Sequence, residues 1–141
     1  FDSGVVTKWY VPEANTAASL RLRGKFSPPL VLTHLHRLEL ETAWQLKVFR
    51  KEMSADVAAR AAADLQSDVE AGVWLRPEYD LTAVFVTAER LTREYAASLG
   101  ARTLDVWHVA AAHQLGCEDF VTGDDRQAKL AACAGMKVTR L

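Results

Sequence analysis

Short apolar runs alternate along this chain with helix-length segments, and glycine or proline closes most of them. That alternation constrains the fold first, because strands separated by helices pair in parallel and bury both sheet faces. Leu30-Val31-Leu32, Val73-Trp74-Leu75, Asp119 to Thr122 and Met136 to Thr139 suit buried strands. The chain itself opens in an apolar, strand-like fragment that stops at Asp2-Ser3-Gly4. A short apolar stretch, Val5 to Tyr10, follows and is ended by Pro12. Helices are expected from Asn15 or Thr16 to Arg23, from Leu35 to Lys51 and from Ala55 to Ala71 behind a Ser54 cap. Three more are expected from Thr82 to Leu99, from Leu104 to Leu115 behind Thr103, and from Asp125 to Ala134. Gly24, Gly72, Gly100, Gly116 and Gly135 are their stops. The expectation is an α/β fold forming one domain over residues 1–141. No repeat, low-complexity tract or linker interrupts it.

With 141 residues the chain is long enough for a real core. No apolar run approaches the roughly 18 residues of a membrane span, so no membrane association is expected. The sequence starts at Phe1 without a methionine, and a few residues ahead of it are expected. Cys117 and Cys133 stand outside any metal-ligand pair, which suits a reduced protein of the cytoplasm. The formal net charge is −1. A nucleic-acid binder with no basic excess must draw positive charge from local arginines, a metal ion or a partner. Arg37, Lys47, Arg50 and Lys51 form a candidate basic strip.

Ligands of open parallel sheets bind at the carboxyl ends of the strands, so acids at those ends carry the functional reading. Asp2 ends the first fragment, and alone it reads as a turn former or cap. Asp124 follows Phe120-Val121-Thr122-Gly123 and competes with Asp125 as the next helix cap. Asp105 lies in the first turn of a helix whose Val106, Val109, Ala110, Ala111 and Ala112 make it apolar nearly all round. A carboxylate at the end of a buried helix needs a partner or a metal. On the long helix, Leu35, Leu38, Thr42, Leu46 and Phe49 form an i, i+3, i+4 stripe with Glu39 at its edge. Glu41 falls about 200° away from Glu39, on the polar side. Glu39 is thus the expected inward acid. If these carboxylates converge, their mutual repulsion calls for a hard divalent cation such as Mg²⁺ or Mn²⁺. Such an ion activates water and neutralises charge on a phosphodiester.

Other chemistries lack their motifs. There is no G-x-x-x-x-G-K-[ST] or G-x-G-x-x-G phosphate loop and no G-x-S-x-G elbow. His34, His36, His108 and His113 have no zinc spacing. His108 follows Asp105 by one turn and is a candidate partner for it. A phosphoryl-transfer domain with a nucleophilic aspartate would need a second acid, which Asp2-Ser3-Gly4 lacks.

The opening Asp2-Ser3-Gly4 with Lys8-Trp9-Tyr10-Val11-Pro12-Glu13 resembles that of PIN-domain proteins, specifically VapC-like toxins. Leu38-Glu39-Leu40-Glu41-Thr42-Ala43 resembles their second acidic motif. Arg102-Thr103-Leu104-Asp105 through Ala112 resembles their third, and Phe120-Val121-Thr122-Gly123-Asp124-Asp125 through Gly135 their fourth. The resemblance implies a three-layer α/β/α fold with a five-stranded parallel sheet of order 3-2-1-4-5. It implies Mg²⁺- or Mn²⁺-dependent cleavage of RNA, inhibition by a cognate antitoxin, and a homodimer. Asp2, Glu39, Asp105 and Asp124 carry over as the metal-holding quartet, with Glu41 and Asp125 as alternatives. Ser3 and Thr122 carry over as hydroxyl helpers. A non-catalytic binding module of the same kind is the competing expectation.

Overall fold

Helix signals dominate this sequence, and most of the chain is helical in the computed structural model, which describes residues 1–141. Two compact units are present, Ser3–Pro77 and Glu78–Leu141 with Phe1–Asp2.

The unit Ser3–Pro77 contains α1 (Ser3–Tyr10), α2 (Thr16–Arg23), β1 (Leu30–Val31), α3 (His34–Phe49), α4 (Ala55–Glu70) and β2 (Trp74–Leu75). Its helix starts are local. The Thr33 hydroxyl accepts from the His36 amide at 3.3 Å, and His36 Nδ1 accepts from the Thr33 amide at 3.1 Å. That is a capping box with histidine in the place usually held by glutamate. Ser54 caps α4 through the Val57 amide. β1 and β2 pair in parallel, Leu30 opposite Trp74 and Val31 opposite Leu75.

On α3 the buried residues are His36, Leu40 and Trp44. The expected stripe faces outward instead: Leu38 is 63% exposed, Leu46 43% and Phe49 82%. This helix carries two apolar stripes, and the one bearing the largest ring is buried. The Trp44 indole donates to the Thr7 hydroxyl of α1 at 3.0 Å, which satisfies its N–H inside the core.

The other unit holds α5 (Leu81–Leu91), which continues through a π-helical turn, Thr92–Ala96, into α6 (Ala97–Leu99). α7 (Thr103–Gln114), β3 (Asp119–Thr122), α8 (Asp125–Cys133) and β4 (Lys137–Arg140) complete it. α7 is buried at Val106, His108, Val109, Ala110 and Ala111, as its uniformly apolar sequence requires. Val84, Leu91, Phe120, Leu130 and Met136 join it in one core. β3 and β4 are parallel, with Thr122 opposite Arg140.

The expected three-layer fold with a five-stranded sheet of order 3-2-1-4-5 is therefore corrected. The strands form two separate parallel pairs, β1-β2 and β3-β4. The opening fragment ahead of α1 is not a strand of either pair, although the Asp2 amide makes a ladder-like bond to the Val121 carbonyl at 2.8 Å. Val5 to Tyr10 is helical, with Val5 and Val6 fully buried. No helix is long and apolar enough to cross a membrane.

Candidate functional site

The β3–α8 junction positions the acids. Residues Phe120 to Thr122 are buried on β3, and the chain then turns at Gly123 so that Asp124 becomes the N-cap of α8. Asp124 Oδ1 accepts from the Arg126 amide at 2.7 Å and the Gln127 amide at 3.0 Å. Such a cap satisfies two of the orphan donors at the start of a helix. The Gln127 amide bond is the largest influence on the Asp124 carboxyl, holding it below the usual carboxylate range. The Arg126 amide and the Arg126 and Arg102 charges add to this, against the opposing effect of burial.

Thr122 joins Asp124 to Asp2. Its hydroxyl donates to Asp2 Oδ2 and accepts from the Asp124 amide at 3.0 Å. Both Thr122 and Asp2 are buried. The same hydroxyl lies 2.7 Å from the Gln127 carboxamide oxygen. One hydroxyl proton cannot serve two acceptors, and the Asp2 carboxylate is the stronger one. The Gln127 carboxamide must therefore be turned so that its NH₂ group donates to Thr122. Gln127, 3% exposed, is a site residue that the sequence reading missed. Its signal was helical spacing: it shares the buried face of α8 with Ala128, Leu130 and Ala131.

Asp105 lies at the start of α7, where its Oδ2 accepts from the Arg102 amide at 2.9 Å. His108 is buried on α7. Arg126 links the two helix starts: its Nη1 donates to the Gly100 carbonyl at 3.4 Å, two residues ahead of Arg102. Gly100 adopts φ +66°, a left-handed conformation that glycine takes without strain, and closes α6. Asp125 is tied instead to Arg140, 2.6 Å from its Nη1.

Three of the expected acids, Asp2, Asp105 and Asp124, thus belong to one unit and to neighbouring cap and turn segments. Ser3 opens α1 in the other unit, and Glu39 lies there on α3, half-buried beside Leu40. Glu41 is paired with Arg37 at 2.9 Å. No three His, Cys, Asp or Glu side chains stand together as a ready-made metal site. The donor chemistry is nonetheless that of a hard cation, since carboxylate oxygens are what Mg²⁺ and Mn²⁺ select. Asp124 Oδ2 and Asp105 Oδ1 take no hydrogen bond from the chain. A pocket of about 370 Å³ between α5 and α7 is lined by Phe85, Ala88, Val106 and Trp107 and by none of these acids. No family model, no curated protein and no solved structure matches the chain.

Proposed function

We propose that this chain is a metal-dependent endoribonuclease, the toxin of a toxin–antitoxin pair. The observation that carries the reading is the Thr122 hydroxyl, which bonds the Asp2 carboxylate and the Asp124 amide from one atom. Residues 120 positions apart are joined there in a buried polar network that holds two of the acids beside each other. The order of the four acidic motifs, which resembles that of VapC-like toxins, supports the same reading.

In this proposal Asp2, Asp105 and Asp124 hold Mg²⁺ or Mn²⁺. Glu39 enters as the fourth acid on its motif alone. The ion supplies Lewis acidity and a bound water of lowered pKa. Thr122 fixes the Asp2 carboxylate, and Gln127 fixes Thr122. RNA is the substrate, the compartment is the cytoplasm, and a cognate antitoxin and a second copy of the chain are the protein partners. Leu38, Leu46 and Phe49, exposed along α3, offer apolar surface for a protein partner.

The test is cleavage of single-stranded RNA by the purified chain with and without Mg²⁺ or Mn²⁺. Cleavage that stops on chelation and falls about 100-fold or more in Asp2→Asn and Asp124→Asn is the expected result, on the scale of a lost catalytic electrostatic contact. An Asp2→Asn protein that cleaves as fast as the unmodified chain refutes the proposal. The second reading, a non-catalytic binding module, is favoured by the lack of three acids standing together. It gains if no RNA is cut and calorimetry detects no Mn²⁺ binding.

A further inference from the structure

Two arginines stand at the paired starts of α7 and α8, and neither makes an ion pair with the chain. Arg102 gives its backbone amide to Asp105, while its exposed guanidinium makes no hydrogen bond or ion pair with the chain. Arg126 spends one N–H on the Gly100 carbonyl at 3.4 Å, a long and neutral bond. The Arg126 amide is itself bonded to Asp124 Oδ1 at 2.7 Å, as the Arg102 amide is to Asp105, so each arginine sits beside one of the two acids. Arg140, by contrast, is occupied by Asp125 at 2.6 Å and by the Gly123 carbonyl at 3.2 Å. A guanidinium presents a rigid fork of donors that fits two phosphate oxygens at once. A chain of net charge −1 needs a local source of positive charge to hold a polyanion.

We propose that Arg102 and Arg126 are substrate-binding residues that grip the phosphodiester backbone of single-stranded RNA beside Asp105 and Asp124. This rests on the ribonuclease reading and adds to it the residues that seat the substrate. Arg102 supplies a free fork, and Arg126, held across the Gly100 turn, supplies a second charge in a fixed place. Because both address phosphate rather than base edges, they strengthen binding without choosing sequence.

The experiment is fluorescence anisotropy of a labelled single-stranded oligoribonucleotide with the full chain in chelator, which prevents cleavage, across a salt series. Each phosphate contact contributes about 0.7 to the slope of log affinity against log salt for a single strand. Arg102→Gln is expected to lower that slope by about 0.7, and the double change with Arg126→Gln by about 1.4. Arg102→Gln removes no bond within the chain, so its effect is not one of unfolding. Lys137→Gln, at the start of β4 and paired across the strands with Asp119, serves as the control and should leave the slope unchanged. Unchanged affinity and slope in Arg102→Gln and in the double variant, with tight RNA binding by the unmodified chain, overturns the arginine assignment and leaves the ribonuclease reading standing. An unmodified chain that binds no RNA in chelator overturns the arginine assignment, and one that also cuts no RNA with Mg²⁺ or Mn²⁺ overturns the ribonuclease reading with it.

Discussion

Thr122 donates its hydroxyl to the carboxylate of Asp2, 120 positions away in the chain. The pair sets a clear expectation for mutation. Thr122→Val keeps the shape and removes the hydroxyl, which strands a buried carboxylate oxygen and the Asp124 amide together. Losing a hydrogen bond to a charged group costs about 1.5–3 kcal/mol. Thr122→Ser keeps the hydroxyl and loses only a methyl group, about 1 kcal/mol. Urea unfolding should rank the three proteins unmodified, Ser, Val. Equal midpoints for Ser and Val would show that the hydroxyl does not hold Asp2.

Asp124 caps α8 and, in the proposed reading, also holds a metal ion, and asparagine divides the two roles. Asparagine caps a helix about as well as aspartate, whereas alanine at an N-cap costs about 1 kcal/mol. Asp124→Ala should therefore lower the unfolding midpoint measurably and Asp124→Asn hardly at all, while both lose cleavage. The pH dependence has a definite sign. The Asp124 carboxyl titrates lower in the folded chain than unfolded, chiefly through the Gln127 amide. Its stabilising effect is thus complete above the unfolded value of about 3.9 and is lost as pH falls through the folded one. Asparagine has no such titration, so the difference between the two proteins should shrink or reverse only in acid. A difference that persists unchanged through that range would mean the cap bonds do not favour the charged form.

The sequence disclosed what is local and concealed what depends on distant partners. Ser54, Gly100 and Asp124 mark helix ends through bonds within a few residues, and the helices lie close to where those signals put them. The sheet was not legible in this way. Whether Phe1 and Asp2 form a strand depends on neighbours far along the chain, such as Val121, whose carbonyl the Asp2 amide bonds. α3 failed differently. Its Leu38–Leu46–Phe49 stripe has helical spacing as good as that of His36–Leu40–Trp44, and periodicity alone cannot choose between two apolar faces. Trp44 decides it by finding an acceptor in Thr7. Among the site residues, Asp2 and Asp124 could be named from their places beside apolar runs. Gln127 was hidden because a polar residue on an apolar face has no meaning until Thr122 is known to lie above it.

The two cysteines should react very differently. Cys133 is exposed and Cys117 half-buried, and both are free. Burial pushes the Cys117 thiol up. The thiolate is the reactive form, so less of Cys117 is reactive at neutral pH. One equivalent of a thiol reagent should label Cys133 quickly, and Cys117 should reach the same rate only on unfolding. Peptide mapping after a short exposure would reveal the order, and equal labelling of both in the native protein would contradict it.

Tyr10 holds together three elements of the unit Ser3–Pro77. Its hydroxyl donates to Asp68 on α4 at 2.7 Å and accepts from the indole of Trp74 on β2 at 2.7 Å. Tyr10→Phe leaves the Trp74 N–H buried without its acceptor, at a cost of about 1–3 kcal/mol. Burial, reinforced by the Asp68 carboxylate, raises the phenol above its ordinary range. A phenol harder to ionise when folded contributes stability that is complete below the unfolded value of about 10 and is lost as pH rises beyond it. The unmodified chain should therefore lose stability steeply in strong alkali, and Tyr10→Phe should lose less over the same interval. Denaturant midpoints measured at neutral pH and above pH ~10 would decide this. Parallel alkaline losses in the two proteins would remove Tyr10 from any account of how α1, α4 and β2 are joined.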